Sequence, residues 1–243
     1  MKRRCCLLWL IIGLPPLALA QNIPSSPRSR QAIQRCRPLL AASLSRQGVA
    51  WGAPVFIRIF KFEKRLEMWL HTGERFTLFR QYGVCTLGGR GPGPKTRQGD
   101  GRAPEGFYTI APVQLNPFSR YHLAFNVGYP NAYDRWHRRT GGHVMVHGRC
   151  ASIGCFAMTD AAMEEIYTLV DAALRHGQPF VNLHIFPFAM SNQNLSRSIR
   201  HPWFAFWMNL KAGHDWFLDN NFIPPDVRNE EGEYRLRAAG RSK

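Results

Sequence analysis

Three consecutive runs constrain what this chain can fold into more than any other feature. PVFIRIF (54–60) is dense in β-branched and aromatic residues, and RLEMWL (65–70) and RFTLFRQYGVC (75–85) follow it. Such side chains lose rotamer freedom in a helix and pack well on a pleated surface. With His71-Thr72-Gly73-Glu74 between the second and third runs, the pattern predicts a strand and then a hairpin. The next stretch, LGGRGPGPKTRQGDGRAPEG (87–106), has too much Gly and Pro for a helix or a central strand, so it is a loop or a pair of turns. It lacks the GK[ST] and the following helix of a phosphate loop, which argues against nucleotide binding.

FYTIAPV (107–113), AFNVG (124–128), HVMVH (143–147) and FVNLHIF (180–186) are further strand candidates. Between the last two lies the clear helix of the middle region, Thr159 to Gly177, with Thr159 as its cap and Asp160 at its positive end. Gly177 can close it in a left-handed turn. A second helical pattern, Trp203, Phe206, Trp207 and Leu210, presents an aromatic face expected to pack on the main domain. Residues after Pro224 are polar and are expected to be loosely held. Upstream, Ile33, Leu40 and Leu44 suit a short helix that Pro38 would interrupt, so residues 21–53 read as a linker with one docking segment.

The N-terminus, MKRRCCLLWLIIGLPPLALAQ, combines a charged start, a short apolar run and a small-x-small site at Ala18-Leu19-Ala20. It reads as a secretory signal peptide over residues 1–20, and only an uncleaved one would tether the chain to a membrane. Export removes Cys5 and Cys6 and leaves Cys36, Cys85, Cys150 and Cys155 to an oxidising compartment. The formal charge of +16 falls to +13 with the loss of Lys2, Arg3 and Arg4. For an exported basic chain the expected anionic partners are envelope surfaces and polymers rather than nucleic acid.

HVMVHGRCASIGCFAMTD (143–160) concentrates the chemistry. His143 and His147 sit on a strand pattern, where four residues span about 13 Å. They cannot share an ion that needs ligands at about 2 Å, and His147, Cys150 and Cys155 lack a fourth ligand, so no metal is expected. Cys150 can close a tight loop with Cys155 or pair with Cys85; one thiol is then left over, which in an exported protein marks reactivity. A thiol attacks as thiolate and needs a base or a positive field. Cys155 precedes the helix start by four residues, Gly154 opens the backbone to a substrate, and His147 ends the adjacent strand. That combination favours Cys155 as a nucleophile with His147 as base, and Ser152 as the group that orients the imidazole or lines the loop.

These residues resemble the YkuD-type L,D-transpeptidase domain of bacterial envelopes. The family has a strand ending in His-Gly, here His147-Gly148, then a Ser-x-Gly-Cys turn, here Ser152-Ile153-Gly154-Cys155, then a helix. Pro104-Glu105-Gly106-Phe107-Tyr108 matches its upstream strand start, and the similarity runs from about Pro54 to Phe186. Two features depart from the common pattern: only eight residues separate His147 from Cys155, and Ala157 stands where an arginine is usual. With Gly99-Asp100, Pro130 to Asp134, Ile153 to Thr159, Pro187-Phe188 and the Phe204 to Leu210 helix, they look like the YafK-like branch.

The resemblance implies a mostly β, sandwich-like fold with one crossing helix, a catalytic domain over 54–186 and a C-terminal helical extension over 187–243. It implies a thioester between Cys155 and the L-centre carbonyl of diaminopimelate in a peptidoglycan stem peptide, and no cofactor. In the YafK-like branch the reaction is hydrolysis of the amide joining a Braun-type lipoprotein to diaminopimelate; the alternative is transpeptidation, which forms cross-links or anchors proteins. The expected partners are peptidoglycan and its linked lipoprotein, and the expected compartment is the periplasm. The backbone N–H groups of Gly154 and Cys155 are candidates for the oxyanion hole, and Arg149, Tyr133 and Asn131 for substrate contacts. Cys85 and Cys150, each at a strand end beside the site, are expected to pair so that Cys155 stays free, which leaves Cys36 unpaired. The Leu87–Gly106 loop and the Tyr121–Trp136 stretch are expected to wall a groove. A rival of another class is a non-catalytic wall-binding module using the basic loop Arg90 to Arg102 with Tyr129, Tyr133 and Trp136.

Overall fold

The computed structural model describes residues 22–88 and 91–238. The expected signal peptide and Arg90 lie outside them. Helix α1 (Pro27–Arg46) leads into strands β1 (Val55–Phe60), β2 (Arg65–His71) and β3 (Phe76–Gly83). After the Gly-rich loop come β4 (Gly106–Ile110), β5 (Leu115–Asn116), β6 (Ala124–Asn126), the short helix α2 (Ala132–Trp136), β7 (Met145–His147) and β8 (Phe156–Ala157). Helix α3 (Asp160–Arg175) and β9 (Val181–Phe186) precede the C-terminal helices α4 (Asn192–Arg197) and α5 (Phe204–Asp219) and the hairpin β10 (Asp226–Glu230)–β11 (Glu233–Arg237).

Two sheets result, ordered β3-β2-β1-β9-β4 and β5-β6-β7-β8. The strand and hairpin expected from residues 54–85 form one antiparallel meander, and β1 also pairs in parallel with β9. β1 is buried along its whole length because both faces of its sheet are covered. Val55, Ile57 and Ile59 join Phe125 and Val146 of the second sheet and Ile166 and Val170 of α3 in the main core. Phe56 instead meets Phe217 of α5 at 4.9 Å, and Phe60 joins Trp207 and Leu210 of α5 in a second cluster. The aromatic face expected of the tail helix therefore packs on the outer side of the sheet. Arg58 points the same way and is caged by the rings of Phe60, Phe217, Phe186 and Trp69 at 5.0–6.0 Å. Burial lowers its pKa to about 10.

Two segments differ from the sequence expectation. Pro38 does not interrupt α1, which runs unbroken for 20 residues behind a Ser26 cap and Pro27 at its first turn. An interior proline costs about 3 kcal/mol, but Leu40 and Leu44 are buried in the main core, worth roughly 1.5–3 kcal/mol each. Packing decides in favour of the helix. Likewise the segment after Pro224 is not loose: β10 and β11 pair along five residues. Tyr234 anchors them by stacking on Tyr133 at 4.3 Å and meeting Phe107 edge-on at 4.7 Å. Among the described residues no helix is long and apolar enough to cross a membrane.

Candidate active site

β7 lies between β6 and β8, with Ala124 and Ala157 opposite His147. Opposed residues share a face, so Ala157 stands beside His147, and Cys155 lies in the turn just before β8. The Met145 N–H points at Cys155 Sγ at 3.5 Å, and the His143 carbonyl oxygen is 3.9 Å from the same sulfur. A backbone donor on sulfur is suited to solvating a thiolate. His143 is exposed and left-handed at φ 54°, outside the strand. Among the described residues no cluster of three or more His, Cys, Asp or Glu is arranged to hold a metal ion.

His147 is 4 % exposed and its Nδ1 lies 2.6 Å from the Gly148 carbonyl oxygen. A carbonyl only accepts, so Nδ1 carries the proton and Nε2 presents the lone pair that a base needs. Burial pulls the imidazole pKa below its ordinary value, against the raising effect of the Gly148 bond, so the ring is neutral near pH 7. Gly148 is itself clamped. Its N–H donates to Leu123 O at 3.1 Å, and a Cβ would lie 2.5 Å from Asp160 Oδ1 and 2.9 Å from His122 Cβ. Tyr121 covers the imidazole, ring centroids 4.8 Å apart.

The loop that carries Tyr121 is held from the N-terminal helix. Ser26 Oγ donates to Pro117 O, and Arg28 Nη1 donates to Ser119 O and His122 O at 2.8 Å each. Glu164 of α3 joins His122 at 2.8 Å and Arg35 at 2.6 Å. No sequence signal separates Tyr121 from the other aromatics between 121 and 136. Only the β6–β7 pairing brings it over His147.

Cys85 and Cys150 are joined by a disulfide with Cα atoms 5.1 Å apart, and Cys36 and Cys155 are free thiols. Cys85 N–H also donates to Ala157 O, so the end of the meander is tied to the site twice.

Several expected roles change. Ser152 Oγ accepts the Cys155 N–H at 2.7 Å, whereas the oriented nitrogen of His147 is held by Gly148. Ser152 therefore holds the backbone of Cys155 rather than the imidazole of His147. Gly154, at φ 104°, has Arg102 O 3.2 Å from where a Cβ would sit. A Cβ on Gly88 would lie 2.5 Å from Gly154 N. Gly154 thus serves close packing on the Gly-rich loop, not an open approach to substrate. Strand β8 and an extended Thr159 separate Cys155 from the start of α3 along the chain. The helix field falls off within a turn, and Thr159 and Asp160 already cap that end and hold the N–H groups of Ala162 and Arg149.

The candidate substrate contacts separate. Arg149 is exposed, left-handed at φ 68° and two residues past His147. Asn131 caps α2 and donates to Phe107 O at 2.8 Å and Tyr234 Oη at 2.9 Å. Tyr133 is buried between Tyr234 and Phe206. Both hold the C-terminal hairpin, because β10–β11 covers the segment expected to be free. Tyr129 is also buried, so an aromatic platform of Tyr129, Tyr133 and Trp136 is not formed. Asp100 gathers the Gly-rich loop instead. It accepts the N–H groups of Thr96, Arg97 and Arg102 and the Lys95 ammonium. Burial works to raise its pKa, but these donors hold it at about 2.

A model of the YkuD L,D-transpeptidase catalytic domain matches residues 55–181. The Escherichia coli (strain K12) protein YafK, whose name provisionally assigns it to the L,D-transpeptidases, is 45% identical over 183 residues, 75% of this chain and 74% of its own. The protein of the same name from Escherichia coli O157:H7 matches to the same extent. Among solved structures, the helical cell shape determining protein Pgp2 of Campylobacter jejuni has a TM-score of 0.44 at 20% identity, covering 74% of this chain and 66% of that one. Bd1075 of Bdellovibrio bacteriovorus has a TM-score of 0.41 at 21% identity, covering 60% and 56%.

Proposed function

Because this chain belongs to the YkuD family of L,D-transpeptidase catalytic domains, we propose that it is an exported cysteine enzyme that hydrolyses the amide between a Braun-type lipoprotein and diaminopimelate of peptidoglycan. The supporting observation is Ala157, buried beside His147 in the position where the family usually has an arginine. A small carboxylated leaving group such as D-alanine lacks that guanidinium here, whereas a lysine at the end of a polypeptide does not call for it. In the same reading residues 1–20 are removed on export to the periplasm, 54–186 form the catalytic domain and 187–243 an extension.

Nε2 of His147 takes the Cys155 thiol proton, and the thiolate attacks the carbonyl at the L-centre of diaminopimelate. The resulting oxyanion meets the Cys155 N–H, with Ser152 Oγ giving way. Collapse breaks the C–N bond as His147 returns the proton to the leaving lysine amine. Water, deprotonated by His147, then attacks the thioester; a carboxylate forms and the thiol is regenerated. The fate of the thioester decides between hydrolysis and transfer.

The test is incubation of the mature protein with sacculi carrying covalently attached lipoprotein. Protein ending in free lysine is released and a tripeptide stem remains, while Cys155→Ala releases nothing and keeps its fold by circular dichroism. New diaminopimelate cross-links without release would identify an amine acceptor instead. Full activity of Cys155→Ala would reject the cysteine mechanism, and no adduct on Cys155 after carbapenem exposure would favour a binding module.

A further inference from the structure

The C-terminal extension roofs a cavity of about 710 Å³ against the turn after β1 and the Gly-rich loop. We propose that it binds an acidic peptide segment that also carries bulky apolar side chains. The volume is that of a ligand site. Its walls are mainly apolar: Leu87 and Pro92 of the loop, Phe188 after β9, and Trp207 of α5, on which His201 stacks at 4.4 Å. Phe62 stands at the rim with 82 % of its surface exposed.

The charge is one-sided. Glu105 is the one carboxylate among the described lining residues, and it is saturated: Oε1 accepts from Lys61 and Oε2 from the Trp207 indole, each at 2.8 Å. Lys61 also donates to Gly93 O and Ala103 O. Among the described residues the side chains of Lys64, Arg102 and Arg197 form no ion pair; the Arg102 guanidinium donates to Pro92 O at 3.0 Å. Three cations around an apolar chamber select carboxylates joined to apolar groups. Stem peptides built from alanine, glutamate and diaminopimelate carry the carboxylates but no bulky apolar side chain, so a polypeptide segment fits better. Gly88, Gly101 and Arg102 line the cavity and also abut Gly154, next to Cys155. An occupant therefore rests on the loop that seats the thiol. Its binding requires neither the proposed reaction nor a particular acyl acceptor.

The experiment is fluorescence anisotropy of the mature chain with a labelled hexapeptide of alternating Leu and Glu. Its Leu/Gln counterpart and an alanine–glutamate–diaminopimelate tripeptide are the comparisons. The acidic hexapeptide binds at least about tenfold more tightly than either. Arg197→Glu and Lys64→Glu, at exposed positions, each weaken it by at least about fivefold without shifting the melting temperature. Equal binding of the Glu and Gln peptides, no binding of either, or indifference to both charge reversals would overturn the proposal. Preference for the tripeptide would overturn the polypeptide assignment. Loss of catalysis with binding intact would count against the proposed reaction alone.

Discussion

At His147 burial sets the proton affinity, and Tyr121 supplies the exposed part of the cover. A base must be neutral to act, so the acid limb of the rate profile lies below the ordinary histidine value of about 6.5. Tyr121→Ala admits water, raises the His147 pKa and moves that limb up, while kcat falls about tenfold; Tyr121→Phe keeps both. Titration of the His147 ring by NMR reads the shift without turnover, and an unmoved pKa in Tyr121→Ala would mean that the cover lies elsewhere. Ser152→Ala behaves differently. Ser152 holds the Cys155 N–H and not the imidazole, so its loss alters kcat and leaves the pH limb in place. A displaced limb would restore Ser152 as the orienter.

Helix α1 lies outside the residues matched by the family model, yet it braces the loop above His147. Arg28→Ala removes two donors from that loop. The expected cost is about 1 kcal/mol of stability, with faster amide exchange confined to residues 117–123 and a lower kcat. Uniform loss of protection across the chain would show that α1 supports the core and not the loop. At the other end, Tyr234 pins the β10–β11 hairpin through Tyr133, Phe107 and Asn131. Tyr234→Ala is expected to destabilise by about 3 kcal/mol and to open residues 226–237 to proteolysis before the rest of the chain.

Among the described residues one covalent link ties the two halves of the molecule together. The Cys85–Cys150 bond spans 65 residues, a loop whose closure stabilises by about 4 kcal/mol in the chain-entropy model. A Cys85→Ser/Cys150→Ser double variant should lose about that much in denaturant melts. It should also lose activity more steeply than stability, because Cys150 sits inside the turn that delivers Cys155. Unchanged activity at a temperature where the variant stays folded would show that the turn holds itself. The C-terminal extension completes the other side: it buries Phe56, Arg58 and Phe60 and roofs the cavity beside the Gly-rich loop.

Local chemistry sufficed for much of this. The β-branched runs from Val55 to Gly83, the cap and stripe of α3, and a strand-end histidine ahead of a Ser-x-Gly-Cys turn are short-range patterns, and such patterns carry strand, helix and candidate nucleophile directly. What the sequence could not decide depended on partners distant along the chain. Pro38 sits within a continuous helix because Leu40 and Leu44 find a core contributed by later residues. Tyr234 orders a polar tail because Tyr133 and Phe107 wait for it, and that same docking engages Asn131 and Tyr133 in holding the hairpin. Ser152 turned out to hold the backbone of Cys155, and Tyr121 to cover His147, because strand pairing and turn geometry, not spacing, determine which groups meet.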